Sequence, residues 1–470
     1  MADNRERAGR RNFTRREVLK TFGIGATALS LSSCGFTLGK PSATVLQAQG
    51  KEAAAGRKTV IELYNIFGGI DNVHWIQLAQ RFEQAQSDIG IKITYAPSGA
   101  SGGGDNPKLL TAIAAGNPPD LAQITPFSTP QFASLGVMTD LTPYLQREGL
   151  GADDFFTAAW NDMNWQGKVW QVQWDADANF PFFWNKQVFE DAGLDPDTPP
   201  KTIEEVDEFS KKINKQTNGN ISRIGLVPWD NYGFSNSLFT WGWAFGGEFY
   251  DREKQVVTPD NEYVVKALEW IVNYAKNAGG ADKLAVSPPN LQLHVFSTGN
   301  VAMAPLVAPN YRDITKIKTD MKIGATLLPY QGPGATAPGA GGWLGGWSLF
   351  IPKGAKNADA AWEFIKWVSI SDEGTRAEWE TVGFPPAYRK AGILQDIKND
   401  PIMGPYYTTL INAKHSRPAI PVGAFYMGIL DQFVSDAVYG QMTPLQAMKQ
   451  AKLITMKEWE RFNREHGLSS

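Results

Sequence analysis

From residue 59 onward, short apolar strand-like runs alternate with amphipathic helical stretches. TVIELYNI (59–66) is rich in β-formers and reads as a strand, and Gly68-Gly69 breaks the chain before DNVHWIQLAQRFEQAQ turns helical. In that stretch Trp75, Leu78, Ala79 and Phe82 fall at i, i+3, i+4 and i+7, a single apolar stripe. IKITY (91–95) alternates as a second strand, LLTAIAAG forms a helix stopped at Gly116, and PPDLAQI enters a third strand. Thr202-Ile203-Glu204-Glu205 matches a capping box ahead of Val206, Phe209 and Ile213 on one helical face. Ala361, Phe364, Ile365 and Val368 repeat the stripe after the compact strand WSLFIP, and Thr443-Pro444 with Gln446 caps a last helix. This β-α-β-α-β rhythm predicts an α/β layer architecture, and its 470 residues exceed one ordinary core, which predicts two or more lobes. No solenoid-period repeat or heptad run interrupts it.

The first 58 residues break this rhythm. Thr14-Arg15-Arg16-Glu17-Val18-Leu19-Lys20 resembles a twin-arginine export signal, with Val18 where Phe is usual. TFGIGATALSLSS follows, too short to span ~30 Å of hydrocarbon, so it reads as a signal-peptide apolar region. Leu31-Ser32-Ser33-Cys34 resembles the lipobox of bacterial lipoproteins, although Ser33 stands where Gly or Ala is commoner. The alternative is a basic disordered tail with a chance cysteine. We expect residues 1–33 to be a signal peptide, Cys34 to carry lipid, and 34–58, small and polar, to tether the body to the outer face of a membrane.

Composition narrows the function. Residues 1–33 hold seven of the Lys/Arg and three of the Asp/Glu, so a chain of net charge −3 leaves a clearly acidic body, which argues against nucleic acid. A single cysteine excludes an intramolecular disulfide framework and a Cys-rich metal site. His74, His294, His415 and His466 show no metal-ligand spacing, so no metal or other cofactor is expected. The 16 Trp, 25 Phe and 14 Tyr are abundant, and several Trp lie beside Gly or Pro, as in the lining of a cleft.

Five stretches together resemble the family 1 extracellular solute-binding proteins, which include the maltodextrin-binding proteins. They are AIAAGNPPDLAQI (112–124), FFWNKQVFEDAGLDP (182–196), FSTGNVAMAP (296–305), GGWSLFIPKGAKNADAAWEFIKWVS (345–369) and RPAIPVGAFY (417–426). The resemblance implies a two-lobed periplasmic-binding-protein-like fold of class II type, with a sugar in the interlobe cleft and closure about a hinge. It places 59–173 plus 343–385 in an N-lobe and 174–342 plus 386–470 in a C-lobe, with crossings near 173–179, 328–343 and 381–388. It further implies a monomeric receptor that binds a mono- or oligosaccharide without altering it and delivers it to the permease of an ABC importer, whose cytoplasmic ATPase supplies the energy.

A saccharide offers hydroxyls in fixed directions and flat C–H patches, so its receptor needs carboxylates or amides beside aromatic faces. Trp174, Asp175 and Asp177 lie in QWDADAN at the first crossing, and Trp343 and Trp347 sit among glycines in GGWLGGWSL. Tyr426 occupies the position of a stacking aromatic in the relatives. Phe67 and Asp71 follow the first strand, where Asp71 serves equally as a helix cap. Gln123 and Thr125 follow the turn of Asp120, while Asn236, Trp241, Asn310 and Tyr311 come from the other lobe. Each aromatic has core packing as its rival role, as does Trp229. Asn310 follows Pro309 where relatives carry tryptophan, which changes the chemistry of that subsite.

Four other readings compete. Gly99-Ala100-Ser101-Gly102-Gly103 satisfies the G-x-S-x-G of a serine hydrolase, but about ten flexible residues replace the sharp elbow that a nucleophile needs. The same run lacks the Lys-Ser/Thr ending of a phosphate loop. A glycosidase needs two carboxylates across one bond, a separation that sequence does not give. A sensor receptor that transports nothing would share both cleft and anchor.

Overall fold

The computed structural model describes residues 56–67, 69–97, 106–217, 220–229, 233–285 and 294–468, without the side chains of 69–71 and 220. The export signal at Arg15 and Arg16, Cys34 and Ser101 therefore lie outside the described residues.

Two five-stranded sheets organise the chain. In the first, Thr59–Asn65 pairs in parallel with both Ile89–Tyr95 and Leu121–Ile124. Ser348–Phe350 then runs antiparallel between Leu121–Ile124 and Val172–Gln173. A strand from late in the chain is thus built into the sheet of its beginning. In the second sheet Asn220–Leu226 pairs in parallel with Val301–Pro305, and Phe182–Asn185 lies antiparallel between Val301–Pro305 and Ile323–Thr326.

Each sheet is buried under helices whose apolar stripes were readable beforehand. Gly69–Ala85 lays Trp75, Leu78, Ala79 and Phe82 inward, and Ala358–Ile370 does the same with Ala361, Phe364, Ile365 and Val368. Phe82 meets Phe364 edge to face at 5.1 Å, so the two helices share one aromatic layer. Such a ring removes roughly 200 Å² from water, on the order of 5 kcal/mol before entropy is counted. Against the second sheet, Trp241 packs on Trp270 with centroids 4.8 Å apart, and Gly324 carries no side chain because a Cβ there would lie 2.2 Å from the Trp184 ring.

The capping boxes form as expected. Thr202 accepts from the Glu205 amide while the Glu205 carboxylate accepts from Thr202, and Thr443 and Gln446 do likewise.

Between the two sheets lies a third, made of three strands of two residues each: Ala178–Asn179, Trp343–Leu344 and His415–Ser416. Two of its strands are the passages themselves, since the chain runs from Val172–Gln173 through Ala178–Asn179 to Phe182–Asn185, and returns from Ile323–Thr326 through Trp343–Leu344 to Ser348–Phe350. Trp343 faces both Asn179 and His415 in register. Farther along, Ala176 and Phe156 donate to the carbonyls of Pro385 and Ala387, and Arg389 donates to Asp154. This segment stays with the first body before Tyr406 donates to Leu306 on the second, at 2.7 Å.

Candidate functional site at the joint between the two bodies

The site grows from the turns at the ends of the first sheet. Asn65 is fully buried at the end of the first strand; its amide donates to Asn72 at 2.8 Å and its oxygen accepts from the Phe67 amide at 3.1 Å. This folds the turn tightly and leaves Phe67 half-exposed, edge to face with Trp347 at 4.7 Å. Gln123, on the third strand, accepts from the Ile66 amide and ties that turn to its neighbour. Beyond it Thr125 and Ser128 join hydroxyl to hydroxyl at 2.9 Å, closing the short turn Pro126–Ser128 that presents Phe127.

The centre of the site is Gly345-Gly346. A Cβ on Gly346 would lie 2.6 Å from the Gln173 amide nitrogen and 2.7 Å from an Asp175 carboxylate oxygen; one on Gly345 would lie 2.6 Å from the Asn179 amide and 3.7 Å from the Arg417 guanidinium. Four polar side chains therefore converge on two residues that have none, and Gly346 adopts a φ of +118°, which favours glycine. Gln173 donates to Gly345 at 2.6 Å, the Trp347 amide donates to Asp175, and the Gly345 amide donates to the Asp177 carbonyl at 2.9 Å.

Much of the polar capacity here is unused within the protein. Gln123 Nε2, Gln173 Oε1, Asp175 Oδ2, Asp177 Oδ1, Asn179 Oδ1 and Ser348 Oγ are buried without a hydrogen-bond partner. Buried polar atoms are normally satisfied, and leaving one bare costs about 1–3 kcal/mol.

Acidic groups gather around the same point. Burial pushes Asp175 and Glu378 well above the usual carboxylate range, and each is raised further by its acidic neighbours: Asp177 acts on Asp175, and Asp175 on Glu378. Burial also raises Asp177 and Asp162 to about 7, with Arg417 pulling both the other way. Asp162 accepts from the Ser416 hydroxyl at 2.7 Å, bridging the helix Thr157–Met163 to the small sheet. Arg417 lies 4.5 Å from the Phe127 ring centre and 5.5 Å from that of Trp343, and burial lowers it to about 10. Among the described residues no group of three or more His, Cys, Asp or Glu is arranged to hold a metal ion.

The structure thus brings together Phe67, Gln123, Thr125, Asp175, Asp177 and Trp347, with Trp343 behind Arg417. Trp174 is fully buried beside Asp175, edge to face with Trp75 at 5.0 Å, in the interior of the first body. Trp241 and Tyr426 lie inside the second body, where the Trp241 indole donates to Pro228 at 2.8 Å and the Tyr426 hydroxyl reaches Phe249 at 3.4 Å. Asn236 is half-exposed in the helix Phe234–Ala244, and Trp229 packs on Phe234 beside it. Asn310 and Tyr311 are half-exposed on Ala308–Ile317, with Tyr311 against Phe183 at 5.5 Å. Asp71 belongs to the helix Gly69–Ala85, but its side chain lies outside the described residues. A separate concavity of about 480 Å³, lined by Trp243, Glu248 and His415 among others, includes none of the acid and amide groups around Gly345-Gly346.

Sequence reasoning missed Arg417, Phe127, Gln173, Asn179 and Glu378. For Arg417 a signal was present, an isolated arginine in the RPAIP segment without an acidic residue in the neighbouring turns.

Residues 73–372 match the profile of the family described as bacterial extracellular solute-binding protein. The diacetylchitobiose binding protein DasA of Streptomyces coelicolor is 26% identical over 364 residues, covering 76% of this chain and 79% of that protein. The maltotriose-binding protein of Pyrococcus abyssi is 22% identical over 74% of this chain and 72% of its own length. Among solved structures, CpMnBP1 with mannobiose bound superimposes with a TM-score of 0.73 at 27% identity, covering 85% of this chain and all of that one.

Proposed function

Because the chain belongs to the bacterial extracellular solute-binding protein family, we propose that it captures a saccharide between its two bodies and hands it unaltered to an ABC importer in the membrane. The observation that carries this reading is the row of partnerless amide, carboxylate and hydroxyl atoms around Gly345-Gly346, flanked by the half-exposed rings of Phe67 and Trp347. Hydroxyl-hungry atoms beside apolar faces suit a sugar, whose ring edges donate and accept while its C–H faces stack. The relatives named for diacetylchitobiose and maltotriose, and a mannobiose-bound neighbour, agree with this chemistry.

In this reading Phe67, Gln123, Thr125, Asp175, Asp177 and Trp347 hold the solute from the first body and the joint, and Asn236, Asn310 and Tyr311 approach from the second. The solute draws the bodies together through contacts that exist only when they are closed, since equal affinity for open and closed forms shifts nothing. The N-terminal segment directs export through the Arg15-Arg16 pair and anchors the protein by lipid on Cys34.

A thermal-shift screen over mannobiose, maltotriose and diacetylchitobiose, followed by calorimetry and chromatography of the recovered sugar, tests the proposal. At least one should raise the melting temperature by several degrees and be recovered intact. Cleaved product, or no shift with any saccharide, would overturn it.

A further inference from the structure

Arg312 joins the two bodies outside the small three-stranded sheet. It stands on Ala308–Ile317 in the second body, and its guanidinium donates to the carbonyls of Trp379 and Glu380, the latter at 3.2 Å, in the last turn of the helix Asp372–Thr381. That helix belongs to the first body: it packs on Gly69–Ala85 and Ala358–Ile370, and Glu380 pairs with Arg81 at 2.7 Å. A helix leaves its last carbonyls without intrahelical donors, and cations are favoured beside them. Asp372–Thr381 has no basic residue in its own last turn, so the second body supplies the cap. The Arg312 guanidinium also lies 5.2 Å from the Trp379 ring centre, and a Cβ on Gly383, where φ is +100°, would run into it. One cation is thus seated by two carbonyls, an aromatic face and a missing side chain.

Both ends of this bridge adjoin the proposed solute contacts. Asn310 and Tyr311 immediately precede Arg312, and beyond Gly383 the Pro385 carbonyl accepts from the Ala176 amide at 2.7 Å, between Asp175 and Asp177. A hydrogen bond fails within about an ångström of lengthening, so the bridge exists only while the bodies stand as close as they do here. Swinging them apart on the solute side breaks both bonds at once. Resting on the saccharide reading above, we infer that Arg312 is a positioning residue for capture: it latches the shut bodies together across the joint and so sets how long a bound saccharide is retained. The latch acts through the bodies, not on the sugar. Its contribution exists in one arrangement alone, which is the property that shifts an equilibrium between open and shut forms.

Stopped-flow kinetics and calorimetry on the purified chain test this with whichever of mannobiose, maltotriose and diacetylchitobiose binds. Arg312→Gln, which removes the charge and the fork, should speed release about tenfold and leave association within about threefold, so that affinity falls about tenfold. A residue that only braced the fold would instead lower the melting temperature of the sugar-free chain, which we expect to stay within about two degrees of the original. Arg312→Lys, still able to cap a helix C-terminus, should lose no more than about threefold. Should Arg312→Gln fail to fold, hydrogen exchange on the unaltered chain decides: sugar should protect the amides of 380–383 about tenfold or more and leave those of the helix Pro444–His466 unchanged. Release within about threefold of the original in a folded Arg312→Gln chain, tighter binding, a loss carried by slower association, an Arg312→Lys chain no better than Arg312→Gln, or no added protection at 380–383 would overturn the inference while leaving saccharide binding intact. Failure of every saccharide to bind would instead remove the saccharide reading and this inference with it.

Discussion

Phe67 and Trp347 meet edge to face with their ring centres 4.7 Å apart, although one follows the first strand of the chain and the other precedes a strand assembled much later. Both rings are half-exposed, whereas Trp174, three strands away from Phe67 across the first sheet, is fully enclosed. The contrast separates aromatics that offer a surface from those that fill a core.

Substitution should expose that contrast. Trp347→Ala or Phe67→Ala is expected to weaken sugar binding ten- to a hundredfold, by about 1.4–2.7 kcal/mol, with a melting temperature close to that of the unaltered protein. Trp174→Ala instead empties a site lined by Trp75 and Phe384 and should cost about 3–5 kcal/mol of folding stability. Calorimetry and urea unfolding on the same three variants separate the two outcomes.

Gly346→Ala should fail in both respects. The added methyl would lie 2.6 Å from the Gln173 amide and from the Asp175 carbonyl, at a φ of +118°. We expect a stability loss of about 1–3 kcal/mol together with at least a tenfold loss of affinity, read by urea midpoint and calorimetry.

The acids around the joint give stability a definite pH dependence. Asp162 and Asp177 hold their protons to about pH 7 when folded, above their unfolded values. Between about pH 4 and 7 these two groups therefore bind more protons in the folded chain than in the unfolded one, so the stability they contribute is present at the acidic end and is lost as pH rises through that window. Asp162→Asn keeps an acceptor for Ser416 and removes one titrating group, so it should flatten the decline. The full effect of one such group is on the order of 4 kcal/mol, and comparing urea midpoints at pH 4.5 and pH 8 measures it.

Thr202→Ala removes one arm of a capping box far from the proposed site. It should lower stability by about 1 kcal/mol and leave affinity for every bound sugar unchanged, as thermal melts and calorimetry would report.

Most of the helices were legible because their apolar positions recur with the helical period. Trp75, Leu78, Ala79 and Phe82 declare a buried face without knowledge of what covers it. The three strands of the small sheet were not legible, because a pair such as Trp343–Leu344 or His415–Ser416 is too short for any alternation to register. The site was readable only in part for a related reason. Asp175 and Asp177 share one short stretch and attract notice, but Asp162 and Ser416, 254 positions apart, become neighbours only once both bodies are assembled. Aromatic residues were hardest to sort, since Trp174 and Trp347 are equally apolar and differ only in what the rest of the chain leaves uncovered.

Strands two residues long carry few ladder bonds, and that brevity has a mechanical meaning. In the proposed closure each large sheet would keep its own layers while the few dihedral angles of the seam change. The energy separating an empty jaw from a shut one would then fall to the cargo that lodges in it.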